Sequence, residues 1–287
     1  MLASDLIPRL RELGFDLVLS DRVKKTSDIV ELDITDTLAV KELVQEIEPD
    51  WIVNCAAYTQ VDKAEEEKEL AFKINGRGPG NLAKAAKLVS ARLLHVSTDY
   101  VFGGEGQDRI TPYTEDDPMH PCGVYGQSKR YGDELVSTIL GDKALIVRPS
   151  WLHGVNGPNF LDTMLRLGQQ FSEEKKELKV VGDQVGSPTH TAWLAEVICK
   201  LIVKDASGVF NVTSSGSVSW FDFAREIFDQ TQLEVQVSTQ TTKELGRPAP
   251  RPAFSKLSTE KLEEFLGEKC ITWKESIAQH IEARRDS

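Results

Sequence analysis

The chain has 287 residues, 40% of them hydrophobic and 28% charged, and carries a formal net charge of −11. That length fills one large core or two modest ones. The negative balance repels a phosphate backbone, so nucleic-acid binding is excluded and an anionic small ligand needs a local basic pocket.

No stretch approaches the roughly 20 consecutive apolar residues of a membrane span. The N-terminus also lacks a basic segment followed by an apolar run, so the expectation is a soluble, cytoplasmic protein without a membrane partner. Cys55, Cys122, Cys199 and Cys270 are widely separated and form no C-x-x-C pair, which argues for reduced thiols rather than zinc ligands or disulfides.

In chain order, Leu2, Leu6, Leu10 and Leu13 fall on one helical stripe closed by Gly14, so the sequence opens in a helix that feeds the strand "FDLVLS" at 15–20. In a doubly wound sheet such a helix follows a first strand and a glycine turn, whose amides receive a dinucleotide pyrophosphate. Both are missing ahead of it; the expectation is that Met1 is not the true beginning, rather than that a central strand has been lost. Strands follow at "WIVNCA" (51–56), "RLLHVS" (92–97) and "ALIVRP" (144–149), separated by amphipathic helices such as the one carrying Leu38, Leu43, Val44 and Ile47. This alternation predicts an α/β fold with a doubly wound, Rossmann-type parallel sheet over residues 1–150.

Beyond about residue 150 the rhythm changes. Short strands in "LKVV", "GVFNV" and "EVQVS" mix with helices around 159–171, 190–204, 219–231 and 273–284. A smaller α+β substrate domain over 151–287, with interleaved boundaries, is expected. In "VGSPT", Gly186, Ser187 and Pro188 shape a turn and Thr189 is the expected helix cap.

Chemistry concentrates at a few places. Tyr125 and Lys129 in "VYGQSK" stand one helical turn apart on one face. An ammonium there lowers a phenol's pKa and anchors a ribose, while the phenol donates its proton to a carbonyl oxygen. Upstream, the strand "RLLHVS" ends in Ser97, Thr98 and Asp99 at the carboxyl edge, where open parallel sheets bind ligands; a hydroxyl there polarises the same carbonyl or merely caps a turn. Asp21 stands where an acid binds an adenosine ribose, and Arg22 beside it suits a 2′-phosphate, although "SDR" by itself reads first as a surface turn. Asp33 in "ELDITD" and Ala57 in "NCAAYT" end apolar segments and permit close approach of a flat ring, unless Asp33 is only a helix-start signal and the alanines only packing. Arg247 and Arg251 in "GRPAPRP" are the best local cations for a diphosphate, or else solvated loop residues. Trp151 is a sugar platform or a domain-junction core residue. His95, His120, His153, His190 and His280 lack metal-ligand spacing, so no metal is expected.

Taken together, "DWIVNCAAYTQVDKAE", "INGRGPGNLA", "STDYVFGG", "VYGQSK", "RPSWLHG", "NFLDTMLRL", "GDQVGSPT" and "RPAFSKL" resemble the extended short-chain dehydrogenase/reductase superfamily, within it the dTDP-4-dehydrorhamnose reductase family. The resemblance runs from about residue 15 almost to the C-terminus. It implies a catalytic trio of Thr98, Tyr125 and Lys129, with NADPH or NADH contacts from Asp21, Asp33, Ile34, Ala57, Tyr58, Thr59 and Val96. It places Thr98, Asp99 and Trp151 against the sugar nucleotide, and Asn75 in the network that supports the site. The implied reaction reduces the 4-keto group of dTDP-4-dehydro-β-L-rhamnose; a homodimer is compatible with it. Ala3 and Phe254 depart from the family's usual glycine and asparagine, and Ala192 replaces a ligand of the magnesium site of some relatives, to which Asp5 corresponds. Two alternatives stay open: a non-catalytic subunit resembling the β subunit of methionine adenosyltransferase, and a reductase or epimerase of another nucleotide sugar.

Overall fold

Four segments in which nearly every residue is apolar pair side by side and are covered on both faces, as buried parallel strands must be. The computed structural model describes residues 1–24, 26–104 and 109–285. The first half runs α1 (Leu2–Glu12), β1 (Leu19–Asp21), β2 (Ile29–Glu31), α2 (Thr37–Ile47), β3 (Trp51–Asn54), α3 (Val61–Ala64) and α4 (Lys68–Phe72). A π-helical turn at Lys73–Arg77 leads into α5 (Gly78–Leu88), β4 (Arg92–Val96), α6 (Val124–Leu140) and β5 (Ala144–Arg148). The second half comprises β6 (Leu152–His153), α7 (Phe160–Glu174), β7 (Glu177–Val181), β8 (Val185–Gly186), β9 (Thr189–His190), α8 (Thr191–Val203) and β10 (Gly208–Asn211). It closes with β11 (Val218–Ser219), α9 (Trp220–Thr231), β12 (Gln236–Gln240), α10 (Thr242–Leu245), α11 (Glu260–Leu266) and α12 (Trp273–Arg285).

The main sheet has the order β10-β5-β4-β3, and each of its pairings is parallel. Side-chain alternation divides its two faces. Leu94, Leu145 and Val147 pack with α1 and α8 through Leu2, Leu6, Leu10, Leu194 and Ile198. Leu93 and Ile146 face the other way, onto Val40, Val44, Leu82 and Val136 of α2, α5 and α6. Each such fully buried aliphatic contributes roughly 1.5–3 kcal/mol. Among the described residues, β1 and β2 form a parallel ribbon of their own, and β3 ends the main sheet. Residues 208–211 return to the main sheet beside β5, although they follow residue 150 in sequence. A third cluster, built from α7, α9, α12 and the parallel pair β7/β12, holds Leu161, Phe223, Ile227 and Ile277.

Two local expectations are corrected. Leu13 is 53% exposed and lies off the buried stripe of α1, because it already occupies the C-cap ahead of Gly14 at φ +84°. Thr189 does not cap α8: it pairs in β9, its hydroxyl donates to Ser187 O at 3.2 Å, and His190 takes the position before the helix without a side-chain bond.

Candidate active site

The carboxyl ends of β3 and β4 and the start of α6 converge on one place. Gly123 precedes α6, and the amide of Val124 donates to Glu65 Oε1 at 2.8 Å, so a carboxylate covers the positive end of a 17-residue helix. Tyr125 and Lys129 lie in the first turns of that helix. The helix approaches its neighbours without room for side chains at two glycines. A Cβ on Gly126 would lie 2.1 Å from Tyr100 O, and one on Gly132 would lie 2.2 Å from Asn75 O.

Thr98 follows β4 and caps the short turn Asp99–Val101, its hydroxyl accepting from Tyr100 N at 3.2 Å. The Tyr125 phenol lies beside the same hydroxyl, which pulls its pKa down. Of the two sequence options for Thr98, the turn cap is the one this structure displays. Tyr100 meets Tyr125 edge-on, with ring centroids 5.6 Å apart. Burial pushes the Tyr125 phenol up to about 12, with the Thr98 bond pulling the other way and the Asp99 and Asp133 charges adding to the rise.

Here an expectation is corrected: the sequence predicts a lowered phenol, and in this structure burial wins and raises it. The Lys129 side chain is 1% exposed and its ammonium donates to Val96 O at 2.7 Å, 3.4 Å from His95 Nε2. Burial pushes the amine down to about 8, opposed by the Asp133 charge and then by Cys55. A phenol held this high stays protonated at neutral pH and is stocked as a proton donor.

Asp99 is 2% exposed and pushed up to about 6 by burial, against hydrogen bonds from Ser255, Ser150 and Thr98. Ser150 Oγ donates to Asp99 Oδ2 at 3.0 Å and Thr98 Oγ1 to Oδ1 at 3.1 Å. Asn75 lies in the π-helical turn, a device frequent at functional sites. It accepts from Tyr58 N at 2.7 Å and donates to Tyr58 O at 2.9 Å and Ser128 Oγ at 3.0 Å, fixing the loop after β3 to α6. Tyr58 is pinned further by its hydroxyl, which donates to Glu67 Oε2 at 2.6 Å. Ala57 and Thr59 beside it are exposed at the strand end.

On the β1/β2 side, Asp21 Oδ1 accepts from Val23 N at 3.2 Å and Asp33 Oδ1 from Thr35 N at 2.8 Å. The Thr35 amide holds the Asp33 carboxyl below its ordinary value despite partial burial; Lys73 and Arg22 add smaller pulls. The helix-start role falls to Asp36, which accepts from Leu38 N and Ala39 N at 3.0 and 3.1 Å. Asp33 and Lys73 line an open depression of about 530 Å³, and the carbonyl of Ile34 beside it accepts from Asn81 Nδ2 at 3.1 Å.

The remaining candidates lie on the other rim. Arg251 grips Asp62 with bonds of 2.9 and 3.0 Å, and Arg247, 57% exposed, stands 3.8 Å from the same carboxylate. Trp151 adopts φ +46° and stacks on Trp220 at 3.4 Å, its indole pressed on Gly186. Asp5 accepts from Thr191 Oγ1 at 2.5 Å and Asn156 Nδ2 at 3.2 Å. Sequence inspection missed Ser150, Ser255, Glu65, Asp62, His95 and Asp133. His95 and Asp133 carried a signal: one interrupts the apolar strand "RLLHV", the other stands one turn beyond Lys129 on its buried face.

The model of the RmlD substrate binding domain family matches residues 1–285. The chain is 39% identical over 283 residues to the spore coat polysaccharide biosynthesis protein SpsK of Bacillus subtilis, covering 99% of this chain and 94% of that one. It is 40% identical over 258 residues to a dTDP-4-dehydrorhamnose reductase of Streptomyces griseus, covering 88% and 83%. A solved dTDP-4-dehydrorhamnose reductase from Clostridium acetobutylicum is similar with a TM-score of 0.87 and 41% identity over 99% of this chain and 96% of that one. Another, from Bacillus anthracis in complex with NADP, gives 0.83 and 40% over 96% and 95%. The chain therefore belongs to the RmlD substrate binding domain family, alongside the dTDP-4-dehydrorhamnose reductases.

Proposed function

We propose that the protein is an NAD(P)H-dependent dTDP-4-dehydrorhamnose reductase, converting the 4-keto group of dTDP-4-dehydro-β-L-rhamnose to the alcohol of dTDP-L-rhamnose. The observation that carries this is the half-buried Tyr125 phenol beside Thr98 and Asp99, one turn from a buried lysine, at the carboxyl ends of a parallel sheet.

The residues present fit the nicotinamide-ribose and adenosine ends of a dinucleotide. The Lys129 ammonium has three donors, and Val96 O takes one at 2.7 Å, which leaves donors for a ribose diol. The exposed Ala57 and Thr59 permit approach of a flat ring, and Asp21, Arg22, Asp33 and Ile34 form the adenosine end. Arg22 beside Asp21 suits NADPH as well as NADH. When bound, the dinucleotide supplies the hydride.

The chain's own part is positioning and proton supply. Thr98 and Tyr125 hydrogen-bond the ketone oxygen together. Tyr125 releases its proton to that oxygen as the carbon is reduced, and the alcohol forms. Lys129 anchors the ribose and stabilises the phenolate left behind. In the free site Thr98 gives its single proton to Asp99 Oδ1 at 3.1 Å, so it turns from Asp99 to donate to the ketone. The sugar would lie against Trp151, and Arg247, which remains largely exposed, is the cation offered to the diphosphate; Arg251 gives Nη2 to Asp62 and Nη1 to Ala249 O.

The test is dinucleotide oxidation followed at 340 nm with dTDP-4-dehydro-β-L-rhamnose, with the product identified by mass. Substrate-dependent oxidation yielding a product two mass units heavier is expected. Absence of oxidation in protein that binds NADPH overturns the proposal.

A further inference from the structure

Two buried groups of the site have no role in the chemistry above: His95 of β4 and Asp133 of α6, 0% and 1% exposed. Their hydrogen bonds decide where the protons are. Asn54 Oδ1 accepts from Ala56 N at 3.1 Å, so the other arm of that amide, Nδ2, is the one that donates to His95 Nδ1 at 3.0 Å. Nδ1 is therefore an acceptor, and a neutral imidazole carries its proton on Nε2. Burial pushes this imidazole well below its ordinary value, and the Lys129 charge pushes the same way, so it is neutral.

His95 Nε2 faces two groups, Asp133 Oδ1 at 3.7 Å and Lys129 Nζ at 3.4 Å. A protonated Nε2 does not accept from the ammonium. It directs its N–H toward Asp133 Oδ1, a buried oxygen without a hydrogen bond of ordinary length among the described residues. The other oxygen, Oδ2, is occupied by Ser97 Oγ at 2.8 Å and Arg148 Nε at 3.4 Å. Lys129 is thus faced by His95 and the Val96 carbonyl from β4, by Cys55 beyond β3, and by Asp133 from its own helix, while Arg148 of β5 faces Asp133. Asp133 is the carboxylate that serves both buried cations. Burial pushes its carboxyl up, while Arg148, Lys129 and Ser97 pull it back toward ionisation.

We propose that Asp133, with neutral His95 as the spacer, is a positioning pair that keeps Lys129 ionised and aimed at the dinucleotide ribose. The inference rests on the reductase function proposed above for its consequence in turnover. It extends that function by naming the groups that set the alkaline limit of activity. Removing the carboxylate leaves Lys129 and Arg148 as two buried cations without a counter-charge, so Lys129 gives up its proton more readily.

The test is Asp133→Asn, which keeps shape and removes charge. Lys129 is followed by NMR of ε-carbon-labelled lysine, with its signal assigned by its loss in Lys129→Met, and kcat is measured across pH. The lysine titration and the alkaline limb of kcat are both expected to move down by about one pH unit. A merely structural role for Asp133 lowers kcat at every pH and leaves the limb in place. An unmoved lysine titration overturns the pair, as does a moved titration with an unmoved limb. Wild-type turnover is measured in parallel: its absence defeats the reductase function, and the NMR titration alone then decides for or against the pair. Should Asp133→Asn not fold, imidazole nitrogen NMR of the wild type decides. Neutral His95 with its proton on Nε2 is expected from about pH 5 to about 9; a proton on Nδ1, or an imidazolium, overturns the inference.

Discussion

Asp99→Asn is expected to stabilise the protein at neutral pH while impairing it. Burial raises the Asp99 carboxyl from its ordinary 3.8 to about 6, a difference of about 2 units. At about 1.36 kcal/mol per unit, that is a penalty of about 3 kcal/mol for holding the ionised group in the folded state. The folded state binds its proton more tightly than the unfolded chain does. The contribution of Asp99 is therefore fully present below pH 3.8 and lost as pH rises through about 6.

Asparagine removes this penalty at pH 7. It also accepts fewer bonds than the carboxylate now takes from Thr98, Ser150 and Ser255, a loss of about 1 kcal/mol. The net gain is about 2 kcal/mol at pH 7, which corresponds to a rise in Tm of about 5 °C. Near pH 4 the gain disappears and the variant becomes the less stable protein. Thermal unfolding followed by circular dichroism at the two pH values checks this. Turnover is expected to fall because an NH2 replaces one acceptor oxygen, which disturbs the Thr98 and Ser150 bonds of 3.1 and 3.0 Å. A variant less stable than wild type at pH 7, or a gain that does not change with pH, refutes the reasoning.

Glu65→Ala removes the carboxylate that accepts from Val124 N at the head of α6. It should cost about 1 kcal/mol in urea unfolding and lower kcat severalfold, since Tyr125 sits in that first turn. Gly132→Ala drives a methyl group into Asn75 O, a backbone atom that cannot swing away. A loss of at least about 2 kcal/mol is expected, together with collapse of kcat. Arg247→Ala should raise KM for the sugar nucleotide roughly tenfold with kcat preserved. Arg251→Ala leaves Asp62 without its bidentate partner and should lower Tm as well, a contrast that paired kinetics and melting curves will show.

Three strands of the main sheet were legible because burial on both faces gives mainly apolar runs at 51–56, 92–97 and 144–149, interrupted by residues such as Asn54, His95 and Arg148, whereas Gly208–Asn211 was read into the second domain. The helices at 160–174, 191–203, 220–231 and 273–285 were legible for the same reason, each having one apolar face to bury. The three-residue strand Ile29–Glu31 was not, being too short and too exposed to leave a period. The spacing of Tyr125 and Lys129 placed both on one helix, but not the direction of the lysine. That direction depends on Val96 O and on Asp133, which a pattern of two residues does not encode. The grip of Arg251 on Asp62 spans 189 positions, and the bond from Ser150 to Asp99 joins two separate strand ends. Such partners are brought together only by the folded chain.

The central claim is that the Tyr125 phenol hands its proton to the substrate ketone. Its most direct test is kcat of Tyr125→Phe in the dinucleotide oxidation assay, alongside NADPH affinity by fluorescence titration. The account predicts a fall in kcat of at least about a hundredfold with NADPH affinity changed only severalfold. Turnover at the wild-type rate would contradict it.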